Sequence, residues 1–211
     1  MKVARLTLAI KAALAASPLL LTPQTGSTQD VDLGNLGDRG FRIDGIDAND
    51  KSGLSVSGAG DVNGDGLADV IVGAYSAGPV NASAGESYVV FGKATNTTVD
   101  LAMLGFGGFR IDGRGGDDSG FSVSGAGDVN GDGLADLIVG APSGVVGGDV
   151  SVGASYVVFG KASSTTVDLA ALGFGGFRID GIDVSDFSGS SVSGAGDVNG
   201  DGLADLFVGA D

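Results

Sequence analysis

The sequence repeats itself, and the period decides what it can fold into. After Asp30, "GFRIDG" ends at Gly45, Gly113 and Gly181, and "SYVVFGK" begins at Ser87 and Ser155, 68 residues apart each time. An acidic stretch, "DVNGDGLAD", starts at Asp61, Asp128 and Asp197, at offsets of 67 and 69. One residue is therefore lost in the loop after "RIDG" in the second copy and regained in the third. Length changes confined to loops mark a repeated structural unit, which buries its apolar faces by stacking on its neighbours.

Each unit holds four short runs bounded by glycine: "GLSVSG" near Leu54, "ADVIVGA" near Ile71, "SYVVFG" near Val89 and "GFRIDG" near Ile111. They read as four strands. The 41 glycines and the single glutamate, Glu86, suit strands and tight turns better than helices. Phe109 and Ile111 alternate with Arg110 and Asp112, giving the fourth run one apolar face, whereas "VIV" and "YVVF" are apolar on both sides, so the middle strands are the buried ones. A four-stranded antiparallel meander per unit is what a β-propeller blade needs, although β-solenoids and stacked sandwiches share such a period. The expected fold class is all-β: an incomplete β-propeller of four-stranded antiparallel blades, about two and a half repeats over residues 30–211. A closed propeller takes at least ~4 blades. The units therefore read as part of a longer array whose open blade edges are available for self-association.

The acidic stretch is the candidate site. In residues 61–69, oxygen donors fall at loop positions 1, 3, 5 and 9 (Asp61, Asn63, Asp65, Asp69), and Leu67 at position 7 offers its backbone carbonyl. Alternate spacing turns successive side chains inward, and Gly66 supplies a bend that a side chain would oppose. Residues 128–136 repeat the pattern with Asp128, Asn130, Asp132, Leu134 and Asp136, and residues 197–205 with Asp197, Asn199, Asp201, Leu203 and Asp205. Asn-Gly and Asp-Gly are also strong hairpin-turn signals. A mere turn has no use for three carboxylates ~5 Å apart, which repel by roughly 1–3 kcal/mol per pair. A dication reverses the sign of that interaction, and hard oxygen donors in this number fit Ca2+, about three ions in all, better than the stricter octahedron of magnesium. The loop is not an EF-hand: position 12 is Val72, Val139 or Val208 where a bidentate glutamate is required, and a β-branched strand follows where a helix should start.

Charge and composition exclude several function classes. With 26 acidic against 11 basic residues the formal charge is −15, which disfavours nucleic acid and anionic membranes as partners. Cysteine and histidine are absent, so thiolate nucleophiles and thiolate metal sites, and the commonest general base and zinc ligand, are missing. Residues 1–29 differ from the rest: Lys2, Arg5 and Lys11 flank a mostly apolar run from Ala12 to Leu21, with no acidic residue before Asp30. That pattern reads as a signal peptide or a disordered N-terminus. The run is about half the ~20 residues a membrane span needs.

The stretch "SGFSVSGAGDVNGDGLADLIVGAP", Ser119 to Pro142, resembles the FG-GAP repeat of integrin alpha N-terminal propellers and of many bacterial secreted and surface proteins. The "FG" position reads "GL" at Gly53, "GF" at Gly120 and "GS" at Gly189; the "GAP" end is complete only at Gly140 to Pro142. The resemblance implies bladed propeller architecture, calcium in the loop joining a blade's first and second strands, and a secreted or cell-surface module. Its usual role would be adhesion, or recognition of an extracellular protein or glycan ligand. A purely structural spacer of a larger surface protein, or the non-catalytic part of a secreted hydrolase, are the alternatives.

The remaining polar features carry blander expectations. Arg42, Arg110 and Arg178 in "RID" read as cross-strand ion pairs rather than an anion site. Tyr88 and Tyr156 read as core aromatics. An enzyme would need a constellation such as Asp117 and Asp118 acting as acid and base, but that pair occurs once and adjacent strand residues point oppositely; the chain reads as no enzyme. The copies differ most at residues 46–52, 114–119 and 182–188 and at 75–86 and 142–153. Both sets should emerge on one end, opposite the acidic loops, either as a partner surface or as unconstrained solvent loops.

Overall fold

A computed structural model describes residues 5–7, 32–78, 83–148 and 151–210. The strands in chain order are β1 (Arg5–Thr7), β2 (Arg42–Asp44), β3 (Val56–Gly60), β4 (Asp69–Ala74), β5 (Glu86–Val90), β6 (Val99–Asp100) and β7 (Gly108–Asp112), followed by β8 (Ser122–Gly127), β9 (Asp136–Ala141), β10 (Ala154–Val158), β11 (Val167–Asp168), β12 (Gly176–Asp180), β13 (Ser191–Gly196) and β14 (Asp205–Gly209). Short 3-10 turns lie at Gly37–Arg39 and Leu101–Met103, the second capped by the Asp100 carboxylate, which accepts from the Ala102 N–H.

The protein is an all-β, incomplete propeller. β3, β4, β5 and β7 form one antiparallel meander and β8, β9, β10 and β12 a second, while β13 and β14 pair as the start of a third. In both full units the four expected strands are present. As the two-sided apolar pattern requires, the middle strands are the most buried, β9 and β10 along their whole length. β1 runs antiparallel along β2 in the place that third strands take along fourth strands elsewhere, with Leu6 opposite Ile43 as Ser87 is opposite Ile111. Apart from these three residues, the expected N-terminal segment, residues 1–29, lies outside the described residues.

One element was not foreseen. The two-residue strands β6 and β11 leave their own blade and pair in parallel with the fourth strand of the preceding one, Val99 opposite Ile43 and Val167 opposite Ile111. Each blade is thus stitched to its predecessor at the outer edge.

Blade-on-blade packing supplies the core. Ile71, Val89, Phe109 and Ile111 of the first full blade meet Leu137, Val139, Tyr156 and Val158 of the second. The opposite face of the first blade, with Val72, Tyr88 and Val90, covers Ile43. Near the inner edge the backbones approach too closely for side chains: a Cβ on Gly125 would lie 2.7 Å from the Gly58 carbonyl oxygen, and one on Gly194 2.7 Å from that of Gly125. The inner strands are tied as well, since the Val123 N–H donates to Ser55 Oγ at 2.9 Å and the Val192 N–H to Ser122 Oγ at 3.0 Å.

Two expectations about polar residues need correction. The "RID" arginines pair within their own strand rather than across strands: Arg42 Nε lies 2.7 Å from Asp44 Oδ1, Arg178 Nε 2.8 Å from Asp180 Oδ1, and Arg110 grips Asp112 likewise. Residues i and i+2 share a strand face, so the aspartate two places on is the nearest anion. Only Arg110, among the described arginines, also faces a cross-strand acid, Glu86 at 3.9 Å. Asp117 and Asp118 sit in a turn, not on a strand, and each is engaged by other parts of the fold. Tyr156, fully buried as expected, donates to Asp117 Oδ2 at 2.8 Å, and Ser143 Oγ donates to Asp118 Oδ2 at 2.5 Å.

Candidate functional site: the acidic hairpin loops

Each acidic stretch joins the first and second strands of its blade. The entry is fixed by a bulge: pairing slips between Gly58 and Gly60, Gly125 and Gly127, and Gly194 and Gly196, and Gly60, Gly127 and Gly196 adopt φ of 79, 78 and 69°. An L side chain is strained there, which is why glycine precedes the first aspartate in every copy.

Within the loop, the first aspartate organises the backbone. Asp61 Oδ1 accepts from the N–H groups of Gly64 and Asp65 at 2.7 and 3.1 Å, and its Oδ2 accepts from Gly66 at 2.8 Å. Gly64 and Gly66 take φ of 79 and 84° to aim those amides inward. Asn63 Oδ1 accepts from the Asp65 N–H, its Nδ2 donates to Asp65 Oδ2, and the Leu67 N–H donates to Asp65 Oδ1. The second and third loops reproduce this network around Asp128 and Asp197.

The ninth position behaves differently. Asp69 and Asp136 are the first residues of β4 and β9 and are 1% and 0% exposed. Asp69 Oδ2 accepts from the Val62 N–H at 2.8 Å and its Oδ1 from Gly92 at 2.7 Å; Asp136 receives Val129 and Gly160 in the same way, both at 2.8 Å. Burial pushes both carboxyl groups above the ordinary range. The amide donors oppose that shift, and nearby loop carboxylates (Asp65 and Asp61 for Asp69, Asp132 for Asp136) add to it. This residue ties the loop base to the chain leaving the third strand, a role that sequence reasoning missed. Its signal was "FGK" recurring after the loop, with its glycine 23 residues beyond Asp69 and 24 beyond Asp136.

The structure places the first four proposed donor positions of each loop in one short bend and the fifth, Asp69, Asp136 or Asp205, at the start of the following strand, and the set does not close into a cage. Among the described residues no group of three or more acidic side chains converges as a metal cluster. The carboxylates are turned onto loop amides instead, the natural donors for an anion held at a bend. The donor set nonetheless suits a hard dication: it is all oxygen, three carboxylates and an amide per loop plus a main-chain carbonyl. Carboxylate oxygens engaged by one amide keep a further lone pair, and Asp61, Asn63 and Asp65 lie at the solvent side.

Beside each of the first and second loops lies a cleft bounded by the linker to the fourth strand. One of about 470 Å3 is lined by Asn63, Asp65, Lys93, Asp100 and Phe106, and its equivalent of about 510 Å3 by Asn130, Asp132, Lys161, Asp168 and Phe174. At the opposite end, the variable loops do emerge together. The Ser119 N–H donates to the Ala84 carbonyl and the Ser143 N–H to the Asp117 carbonyl, so both sets share one surface; residues 79–82 and 149–150 within them lie outside the described residues.

Comparison with known proteins agrees with this geometry. The sequence model of the FG-GAP repeat matches residues 52–90, 119–158 and 188–211, each match starting before a first strand and running through its acidic loop. Integrin alpha pat-2 of Caenorhabditis briggsae is 36% identical over 97 residues, and integrin alpha-PS5 of Drosophila melanogaster 40% over 95 residues, each alignment taking in 43% of this chain. The chain spans only 7% and 8% of those relatives' length. Among the described residues no helix is long and apolar enough to cross a membrane. Three matched units, each opening with the same acidic hairpin, make the chain a member of the FG-GAP repeat family, with an integrin-alpha-like propeller module.

Proposed function

We propose that this module is a calcium-binding recognition unit working outside the cell or at its surface, in which the cations are structural and the variable loops meet the partner. The observation that carries this reading is the oxygen-only donor set recurring in all three loops, at the hairpin joining first to second strand. Asp61, Asn63, Asp65, Asp69 and the Leu67 carbonyl would hold the first ion, and their counterparts in residues 128–136 and 197–205 the others. Bound there, a dication supplies positive charge that offsets carboxylate repulsion.

The likeness to integrin alpha subunits supports an adhesive or recognition role, with an extracellular protein or glycan as the ligand class. The partner surface in this reading is the end formed by residues 46–52, 114–119 and 182–188 with the second-to-third-strand loops. Exposed apolar residues on the last described strands and the neighbouring blade edge, Phe207 and Phe177, offer a route to self-association. No catalytic step is assigned. The test is capture of extracellular-matrix proteins and glycans by the immobilised chain in millimolar calcium and in chelator. Retention in calcium that is lost in chelator supports the reading; calcium-dependent melting without any retention favours a structural spacer.

A further inference from the structure

The acidic loops of successive blades touch one another in the same way twice. The Ala135 N–H, at position 8 of the second loop, donates to the Asp61 carbonyl, at position 1 of the first, at 2.9 Å; the Ala204 N–H donates to the Asp128 carbonyl at 3.0 Å. A Cβ on Gly64 would meet Leu134 Cδ2 at 3.1 Å, and one on Gly131 would meet Leu203 Cδ2 at 3.1 Å. Gly60 and Gly127 lie so near Ala135 and Ala204 that an added Cβ would come within 2.6 and 2.7 Å of their methyl groups. Val62, inside the first loop, is fully buried in the interblade core, whereas Val198 of the third loop is 66% exposed.

From this repeated contact we infer that the loops form a coupled row, in which the first and the second are each held in their cation-competent shape by the loop that follows. The inference rests on the reading of the loops as cation sites. Leu134 belongs to two sites at once: its carbonyl is a donor in its own loop, and its side chain covers the glycine turn of the preceding one. Ala135 fixes the main chain at Asp61, whose carboxylate gathers the three amides that shape the first loop. A cation that orders residues 132–136 therefore also orders the clamp on residues 61–66, and by linkage the first loop strengthens the second by the same factor. Leu134, Ala135, Leu203 and Ala204 are positioning residues for the site before their own.

Hydrogen exchange on the full chain, followed at the amides of Gly64–Gly66, Gly131–Gly133 and Gly200–Gly202 through a calcium titration, reads each loop separately. Asp132→Asn weakens the second site alone in ligand terms, and the calcium midpoint of the first loop is expected to rise at least about fivefold. Leu134→Ala leaves every oxygen donor in place; it should shift the first loop similarly while the third loop keeps its midpoint. An unchanged first loop in both variants, or an equal loss of protection in all three loops, overturns the coupling and leaves the cation sites standing. Absence of calcium-dependent protection in the unaltered chain overturns both.

Discussion

Replacing Gly125 with alanine tests whether blades are held by close backbone approach at the inner edge. The new methyl carbon would sit 2.7 Å from the Gly58 carbonyl oxygen and 3.2 Å from Ala59 Cα. Carbon-to-carbonyl contacts in sheets begin at about 3.3 Å, so the first strands must separate by about 0.5 Å. A gap of that size forfeits roughly a quarter of each dispersion contact it opens, and overpacking of this kind costs about 1–3 kcal/mol. For a chain of this length that lowers the melting midpoint by about 2–12 °C. Gly58 is the matched control: it holds the same position one blade earlier, yet a Cβ there meets nothing within 4 Å among the described residues and its φ is not left-handed. Gly58→Ala should stay within about 0.5 kcal/mol. Thermal and urea unfolding of both variants decide the matter, and equal shifts for the two would refute the packing argument.

Other expectations follow from single polar contacts. Asp136→Asn leaves one of two buried amide donors, Val129 or Gly160, facing an NH2 group, which costs about 1–3 kcal/mol even in chelator; exposed Asp132→Asn should cost less than about 0.5 kcal/mol there, and matching urea midpoints would contradict this. Burial and then Asp117 push the Tyr156 phenol up to about 12. The folded state holds that proton more tightly than the unfolded chain, so the stabilisation is complete below pH 10 and is lost as pH rises through about 12. Tyr156→Phe should therefore flatten the stability loss across that alkaline window, measured by denaturant unfolding, and an unchanged slope would be evidence against it. Arg110→Ala, breaking pairs that are partly solvent-exposed, should cost less than about 1 kcal/mol and progressively less as salt is added.

The fold was legible because a fixed period, glycine punctuation and alternating faces all say the same thing about Val70–Ala74, Ser87–Val90 and Phe109–Asp112. What was not legible depends on tertiary partners. Val99 and Asp100 make a two-residue strand, too short for any periodicity, and their pairing partner Ile43 lies in the previous blade. The donor pattern of the acidic loop was plain in the sequence, but the separate duty of Asp69 was not: its oxygens meet Val62 and Gly92, and the latter is 23 residues away. Cross-strand pairing for the "RID" arginines followed from face alternation alone, which cannot tell that the in-strand aspartate is nearer than Glu86. The interlocking of Leu134 with Gly64 was hidden because it requires knowing how far one blade turns relative to the next.

The most direct measurement is the melting temperature of the intact chain in millimolar calcium, in magnesium and in chelator, with titration calorimetry alongside. Extracellular calcium modules bind at about 0.1–1 mM, and tenfold saturation of one such site contributes about 1.4 kcal/mol, so three together contribute about 4 kcal/mol. That predicts a calcium-specific rise of about 8–16 °C. Identical melting in all three conditions, with no heat on calcium addition, would contradict the assignment of the acidic hairpins as cation sites.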